Sequence, residues 1–389
     1  MDIVKEKIIQ AGELLDEMDI DLWLIFVRET MMQADPALAM VVGHEVVWPS
    51  FFFFTRRGDA VALVGNFDEE DFKKSGRFTE VYPYTEGVRQ DFLKLMKRLD
   101  PGSVAINYSL NNPAADGLTH GMFLLLKDYL EGTPYAGRLC SAEDLCTRLR
   151  SRKTGSEQDL LSSAAFLAAD AWTKSVGEIE PGLTEKEIAA VIDKNIGLLG
   201  GFNSFNTIVN AGDKTRPGHG LPTDAVLQPG DLLHIDFGAR LAGYCSDIQR
   251  LLYIRRPGEK DAPELLCDAF ETVREIIDRT GEACRPGVKG YEIDALAREM
   301  LTERGFSEYE HALGHQLGRD VHDGGAIIGP RWERYGVTPG IPLESGNAFT
   351  LELEIILPGI GCVGLEEDIC VTERGARYLC PRQTELLFK

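Results

Sequence analysis

Two aspartates, Asp236 and Asp247, lie in the segment "HIDFGARLAGYCSDIQR" (234–250), inside stretches that otherwise read as apolar strands. Aspartate is a poor strand former and is seldom buried without a partner. "DLLHIDFGA" and "YCSDIQRLLYI" are joined by the small and flexible "RLAG", so we read a hairpin centred between Leu241 and Ala242. That centre sets Asp236 directly opposite Asp247, on one face, with Cβ atoms about 4.5–5.5 Å apart, where like charges repel. A cation between them removes the conflict. The plainer alternative, a surface hairpin with two solvated acids, sits badly with flanks this apolar.

Further acids occur in the same kind of setting. In "NAFTLELEIIL" (347–357), Glu352 and Glu354 share one strand face. In "VGLEEDICVT" (363–372), alternation places Glu366 and Asp368 on one face and Glu367 on the other. The Gly-rich, loop-like "EHALGHQLGRDVHDGG" (310–325) holds His311, His315 and His322, three of the chain's seven histidines. The best ligand set is two aspartates, one histidine and two glutamates. Four carboxylates balance two divalent cations, and a neutral cluster is the stable way to bury charge. Oxygen-rich ligands with one imidazole suit manganese first, with cobalt, zinc or iron as alternatives. The lack of sulfur argues against a structural zinc site. Two such metals, about 3.5–4 Å apart, hold water as hydroxide at neutral pH and polarise a carbonyl, so the residues describe a dinuclear hydrolase.

Certain elements must position this set. Residues 1–150 read as a mixed α/β unit: a helix over 3–18, a strand at 21–27, a hairpin over 51–64 turning at Arg57-Gly58-Asp59, a strand at 103–108 and a helix over 120–130. No catalytic residue types gather there. We place a domain boundary in the polar "RSRKTGSEQD" (150–159), followed by a helix to about Val176. "PGLTEKEI" (181–188), with Thr184 and Glu187 as a capping box, recurs as "PGVKGYEI" (286–293). Each copy lies between two helical patterns. We read an internal duplication: two α/β halves about a pseudo-two-fold axis, with a site between them.

The bulk properties narrow the class. A chain of 389 residues, 44% hydrophobic and 26% charged, is long enough for two or three ordinary domains. A net charge of −21 argues against nucleic acid or an anionic membrane as partner. No apolar run is long enough to span a membrane, and the start has no secretory pattern. The eight cysteines are scattered without a CxxC pair, which points to a reducing cytoplasm.

Five segments in order, "GHGLPTD", "DLLHIDFGARLAGYCSDIQR", "HALGHQLGRDVHD", "ESGNAFTLELE" and "GLEEDICVTERG", resemble the catalytic domain of the creatinase/aminopeptidase P family, which has the "pita-bread" fold. Residues 1–150 resemble the extra N-terminal domain of its prolidase and Xaa-Pro aminopeptidase branch. The resemblance implies an α+β protein: a smaller mixed α/β domain over 1–150, then a pita-bread catalytic domain over 151–389. It makes Asp236 a ligand of one metal, Asp247 and Glu366 ligands shared by both, and His315 and Glu352 the ligands completing the other. It favours Glu352 over Glu354 and Glu366 over Asp368, and gives Glu352 the proton-handling role as well. His219 corresponds to a histidine that contacts the substrate and its developing oxyanion. His322 and His311 correspond to histidines beside the metals and the proline-side pocket. The implied reaction is attack of metal-bridged hydroxide on an Xaa-Pro peptide bond in a dipeptide or longer peptide, in a cytoplasmic enzyme whose relatives are often homodimers.

The chain also departs from the family pattern. The usual Glu-Pro-Gly is Glu352-Leu353-Glu354 here, and Gly364-Leu365 precede Glu366 where an arginine is usual, so a charged neighbour is missing. Creatinase and the non-catalytic relatives lack the ligands that are kept here. Two other readings stay open: a lyase or hydrolase acting on a non-peptide substrate, and a metal-binding module without activity.

Overall fold

The computed structural model describes residues 2–214 and 220–389. The chain divides into two compact units, one ending at Arg150 and one running from Ser151 to Lys389. In the first, strands β1 (Leu22–Val27), β2 (Ser50–Thr55), β3 (Ala60–Gly65), β4 (Glu80–Tyr84), β5 (Val104–Ile106) and β6 (Leu139–Ser141) form one mixed sheet in the order β4-β3-β2-β1-β5-β6. Helices α1 (Ile3–Glu17), α2 (Leu38–Val41), α3 (Glu69–Ser75) and α6 (Glu143–Ser151) pack on one face, and α4 (Arg89–Leu99) and α5 (His120–Leu130) on the other. This two-sided cover explains the run Phe51–Phe54. Strand alternation sends Phe52 and Phe54 to the first core and Phe51 and Phe53 to the second.

The polar stretch at 150–159 is not a loose linker. Helix α6 enters it, and α7 (Gly155–Glu178) starts after three intervening residues on a capping box of Thr154 and Glu157. Its charges are polar for an internal reason. Buried Lys153 is 2.8 Å from Asp323, and Glu157 accepts a hydrogen bond from the Tyr244 hydroxyl at 3.0 Å. Both partners lie far along the chain, so the segment resembles a solvated linker when read alone.

The second unit adds helices α8 (Glu185–Leu198), α9 (Glu264–Ala283) and α10 (Gly290–Glu303) and strands β7 (Phe202–Asn203), β8 (Ile208–Ala211), β9 (Leu232–Phe237), β10 (Ala239–Leu241), β11 (Tyr244–Cys245), β12 (Ile248–Tyr253), β13 (Ala348–Leu357), β14 (Gly361–Thr372), β15 (Gly375–Tyr378) and β16 (Leu387–Phe388). The main sheet runs β13-β14-β12-β9-β8, with β15 beside β14 and β16 beside β12. The recurring motif is built alike twice. Thr184 bridges to Val226 and Lys289 to Pro342, while Gly182 N–H donates to Leu227 and Gly287 N–H to Leu343. The spacing from 226 to 342 and from 227 to 343 continues into the strands that follow. It carries Leu232, the start of β9, onto Ala348, the start of β13, and Asp236 onto Glu352. The duplication therefore supplies one acid from each half.

Period-two burial orients these strands. Leu351, Leu353 and Ile355 of β13 and Val363, Leu365, Ile369 and Val371 of β14 enter the core with Phe270, Val273, Ile277 and Leu301 of α9 and α10. The even-numbered residues, Glu352 and Glu366 among them, consequently face the opposite side. A one-residue slip would send the leucines to the acid face, so the core fixes the register.

The hairpin between β9 and β12 turns one residue later than the sequence suggested. Ala242 (φ 48°) and Gly243 (φ 83°) form its tip, with Leu241 paired to Tyr244. A two-residue hairpin turn favours positive φ at both tip residues, which Gly accepts far more readily than Leu. Asp236 consequently lies opposite Gln249, not Asp247.

Gly314 sets how close the histidine segment comes to β13. A Cβ there would stand 2.0 Å from the Thr350 carbonyl oxygen. Next to it, Thr350 N–H donates to the His315 carbonyl at 3.0 Å. Gly314→Ala is expected to cost about 1–3 kcal/mol by overpacking, read as a drop in melting temperature of roughly 2–4 °C per kcal/mol. An unchanged melting temperature would show that this contact yields freely.

Candidate metal centre

One lateral row crosses the main sheet. Asp236 on β9 pairs with Gln249 on β12, Gln249 with Glu366 on β14, and Glu366 with Glu352 on β13. Neighbouring strands stand about 4.7–4.9 Å apart, so these side chains are immediate neighbours. Asp247 joins from the residues just before β12, its backbone N–H held by the Asp368 carboxylate at 3.1 and 3.3 Å. It lies diagonally from Asp236, close enough for the two carboxyl groups to perturb each other. The loop after α10 brings His315 over the row, its Nε2 3.6 Å from Asp247 Oδ2. Potential ligand atoms of Asp247, His315 and Glu366 all lie within 4.8 Å of one another.

Crowding and burial set the electrostatics. Burial pushes Asp236 up to about 7, and Glu352 up to about 8 with Asp236 and Glu354 adding to it. Asp247 and Glu366 are raised well above the carboxylate range, first by burial and then by the surrounding acids. Burial and then His322 push His315 down to about 3, so its imidazole is neutral. His315 Nδ1–H donates to the Gln316 carbonyl at 3.3 Å, which leaves the Nε2 lone pair facing Asp247.

Residues with these properties fit divalent cations. Asp236 Oδ1, Asp247 Oδ1 and Glu366 Oε1 are buried without a hydrogen-bond partner among the described residues. Buried acceptors are normally satisfied. Together with the His315 lone pair, they are hard oxygen donors plus one imidazole, which suits such ions.

The register separates the competing acids. Glu352 is opposite Glu366, and both carboxylates accept from Gln249. Glu354 is opposite Gly364 and accepts from the Cys362 thiol at 3.7 Å. Asp368 is committed to the Asp247 backbone, and Glu367, on the other face, pairs with buried Arg250 at 3.0 Å. The His322 ring stands edge-on to His315 at 4.2 Å. His311 lies 5.0 Å from the Tyr309 ring, and its Nδ1–H donates to the Ala312 carbonyl at 2.7 Å. No hydrogen bond joins it to the acids among the described residues. His219 lies outside the described residues.

Sequence reasoning missed Gln249 and His234. Each is two residues from a chosen aspartate, so strand alternation already carried the signal. The arginine absent before Glu366 leaves no void: His234 and Gln249 crowd the space over Gly364.

Residues 159–373 match the model of metallopeptidase family M24. The chain belongs to that family. Its chemistry accordingly rests on divalent metal ions, and its second unit has the pita-bread fold. The chain is 33% identical over 247 residues to an Xaa-Pro dipeptidase of Pyrococcus furiosus, covering 63% of this chain and 67% of that one. It is 27% identical to an Xaa-Pro dipeptidase of Pyrococcus horikoshii, covering 100% of each. The solved Xaa-Pro dipeptidase from Bacillus anthracis superposes with a TM-score of 0.78 at 26% identity, covering 99% of this chain and 100% of that chain. No helix among the described residues is long and apolar enough to cross a membrane.

The raised carboxylates give a pH signature. Asp236 and Glu352 titrate near 7 and 8 in the folded protein, against ordinary values of 3.8 and 4.5. The fold thus holds protons that the unfolded chain releases, and stability falls as pH rises through those folded values. The melting temperature of the metal-free M24 protein is expected to decline between about pH 5 and pH 9, and a divalent metal at about pH 8 should restore it. A flat profile would show that the acids are not strained. Asp247→Asn keeps the shape and cannot ionise. It should lower divalent-metal affinity yet raise the metal-free melting temperature at about pH 8 by roughly 2–4 °C.

Proposed function

We propose that this protein is an Xaa-Pro peptidase that works with two divalent metals, manganese first among them. The observation that carries this reading is the cluster of Asp247, His315 and Glu366, whose potential ligand atoms lie within 4.8 Å of one another beside Asp236 and Glu352 on the same row, in a chain of family M24. The names of the relatives, Xaa-Pro dipeptidases along the full chain, support the substrate class. Asp236 would hold one metal, His315 and Glu352 the other, and Asp247 and Glu366 both. Bound there, the metals would balance the four carboxylates, activate water and polarise the scissile carbonyl.

The chain's own residues account for the rest of the chemistry. Glu352 can accept a proton from the attacking water and pass it to the leaving proline nitrogen as general base and then acid. Partial burial of the row, complete at Gln249 and Glu366, lowers the local dielectric and strengthens each of these interactions. His315 stays neutral and oriented through Nδ1–H. His219, His322 and His311 are assigned to the substrate side, and residues 1–150 to the N-terminal domain of the same branch. A homodimer in the cytoplasm completes the reading.

Reconstitution with manganese, cobalt or zinc, followed by a panel of Xaa-Pro and Xaa-Ala dipeptides and tripeptides, tests the proposal. Turnover confined to Xaa-Pro is expected, with two metals bound per chain. Two bound metals without cleavage would end the peptidase reading and leave the metal site standing. Light scattering in solution checks the dimer.

A further inference from the structure

Gln249 is unlike the rest of the row. The duplication relates the outer strands β9 and β13, and with them Asp236 and Glu352. The inner strands β12 and β14 are paired at Gln249 and Glu366. Gln249 therefore stands where symmetry calls for an acid matching Glu366, and an amide is there instead. It is buried, at 7% exposure, between two carboxylates.

The hydrogen bonds around it run in one direction. Its Nε2 lies 3.2 Å from Glu352 Oε2 and 3.0 Å from Glu366 Oε2. Gln249 Nε2 is the donor to both, and with metal bound the carboxylates would be ionised and only accept, so the amide NH2 points toward them. The amide oxygen then faces His234 Nε2 at 2.9 Å and only accepts, so His234 carries its proton on Nε2. Asn210 Oδ1 is placed 3.1 Å from His234 Nδ1; with the proton on Nε2 that nitrogen only accepts, so this tautomer requires the Asn210 amide to turn its NH2 toward it. The pair also occupies a space left for it. A Cβ on Gly364 would stand 2.7 Å from Gln249 Oε1 and 2.8 Å from His234 Nε2.

We propose that Gln249, its amide turned by His234, is a positioning residue for the metal centre. It engages Oε2 of Glu352 and Oε2 of Glu366 and leaves Glu366 Oε1, which has no hydrogen-bond partner among the described residues, free for metal. A neutral donor suits this place. A cation would compensate the carboxylates in place of the metal, and a further acid would add to their repulsion. The inference rests on the ligand assignment proposed above.

The test uses the full chain with Mn2+ in equilibrium dialysis and Co2+ in visible absorption. Groups that orient metal ligands typically contribute about 10–100-fold in metal affinity. Gln249→Met, similar in size but without the donor, should weaken Mn2+ binding by about that factor and alter the Co2+ ligand-field bands. Gln249→Leu serves if the first variant does not fold. His234→Leu should weaken binding in the parent and have no further effect in the Gln249→Met background, because His234 acts through Gln249. Parent-like affinity and spectrum in Gln249→Met would overturn the proposal. Additive losses in the double variant would overturn the role of His234. A parent protein that binds no Mn2+ would instead reject the ligand assignment itself.

Discussion

Crowding of four carboxyl groups on one sheet face, Asp247 and Glu366 buried and Asp236 and Glu352 half-buried, is the constraint on which the second unit depends. Removing a charge from water costs several kcal/mol, and a neighbouring like charge adds to that. The fold contains the repulsion mechanically. The odd-numbered leucines, isoleucines and valines of β13 and β14 are packed against α9 and α10, so neither strand can slip or separate to relieve its acids. The same packing that stabilises the sheet therefore maintains an unfavourable charge arrangement on its other face. Binding and stability become linked, since a cation that neutralises the row favours the folded state alone.

The internal duplication explains how such a row comes to cross the middle of a sheet. Each half contributes a helix pair, a bridged turn and a strand bearing one acid, Asp236 in the first and Glu352 in the second. The antiparallel contact between the halves places Gln249 against Glu366. Exact symmetry would crowd the centre with a further negative charge. The chain breaks it with an amide there and with His315, which the second half supplies from a loop. Asp247 enters from just beyond the regular end of β12, where its N–H is held by Asp368.

The departures from the family pattern also take on physical content. Gly364 and the residue pair over it form one packed arrangement: a side chain at 364 and the Gln249–His234 pair exclude each other. The neighbour of Glu366 is thus neutral and hydrogen-bonding instead of cationic. Glu354 is turned toward Cys362, and Glu352 alone of the two meets Glu366.

Sequence by itself determined which residue types carry the chemistry and on which strand faces they lie. Period-two alternation in "TLELEIIL" and "LEEDICV" is local, and a buried acid amid apolar neighbours stands out without knowledge of the fold. The repeated Pro-Gly motif likewise pointed to two halves. Only the tertiary structure decided who meets whom. Whether Asp236 faces Asp247 or Gln249 depends on one residue of turn register, set by positive φ at Ala242 and Gly243. The roles of Lys153 and Glu157 depend on partners distant in the chain. Alternation places Gln249 and His234 on the face of the chosen aspartates, but which groups they meet emerges only when four strands lie side by side. Cross-strand register and long-range pairing are properties of the assembled sheet, and no local pattern encodes them.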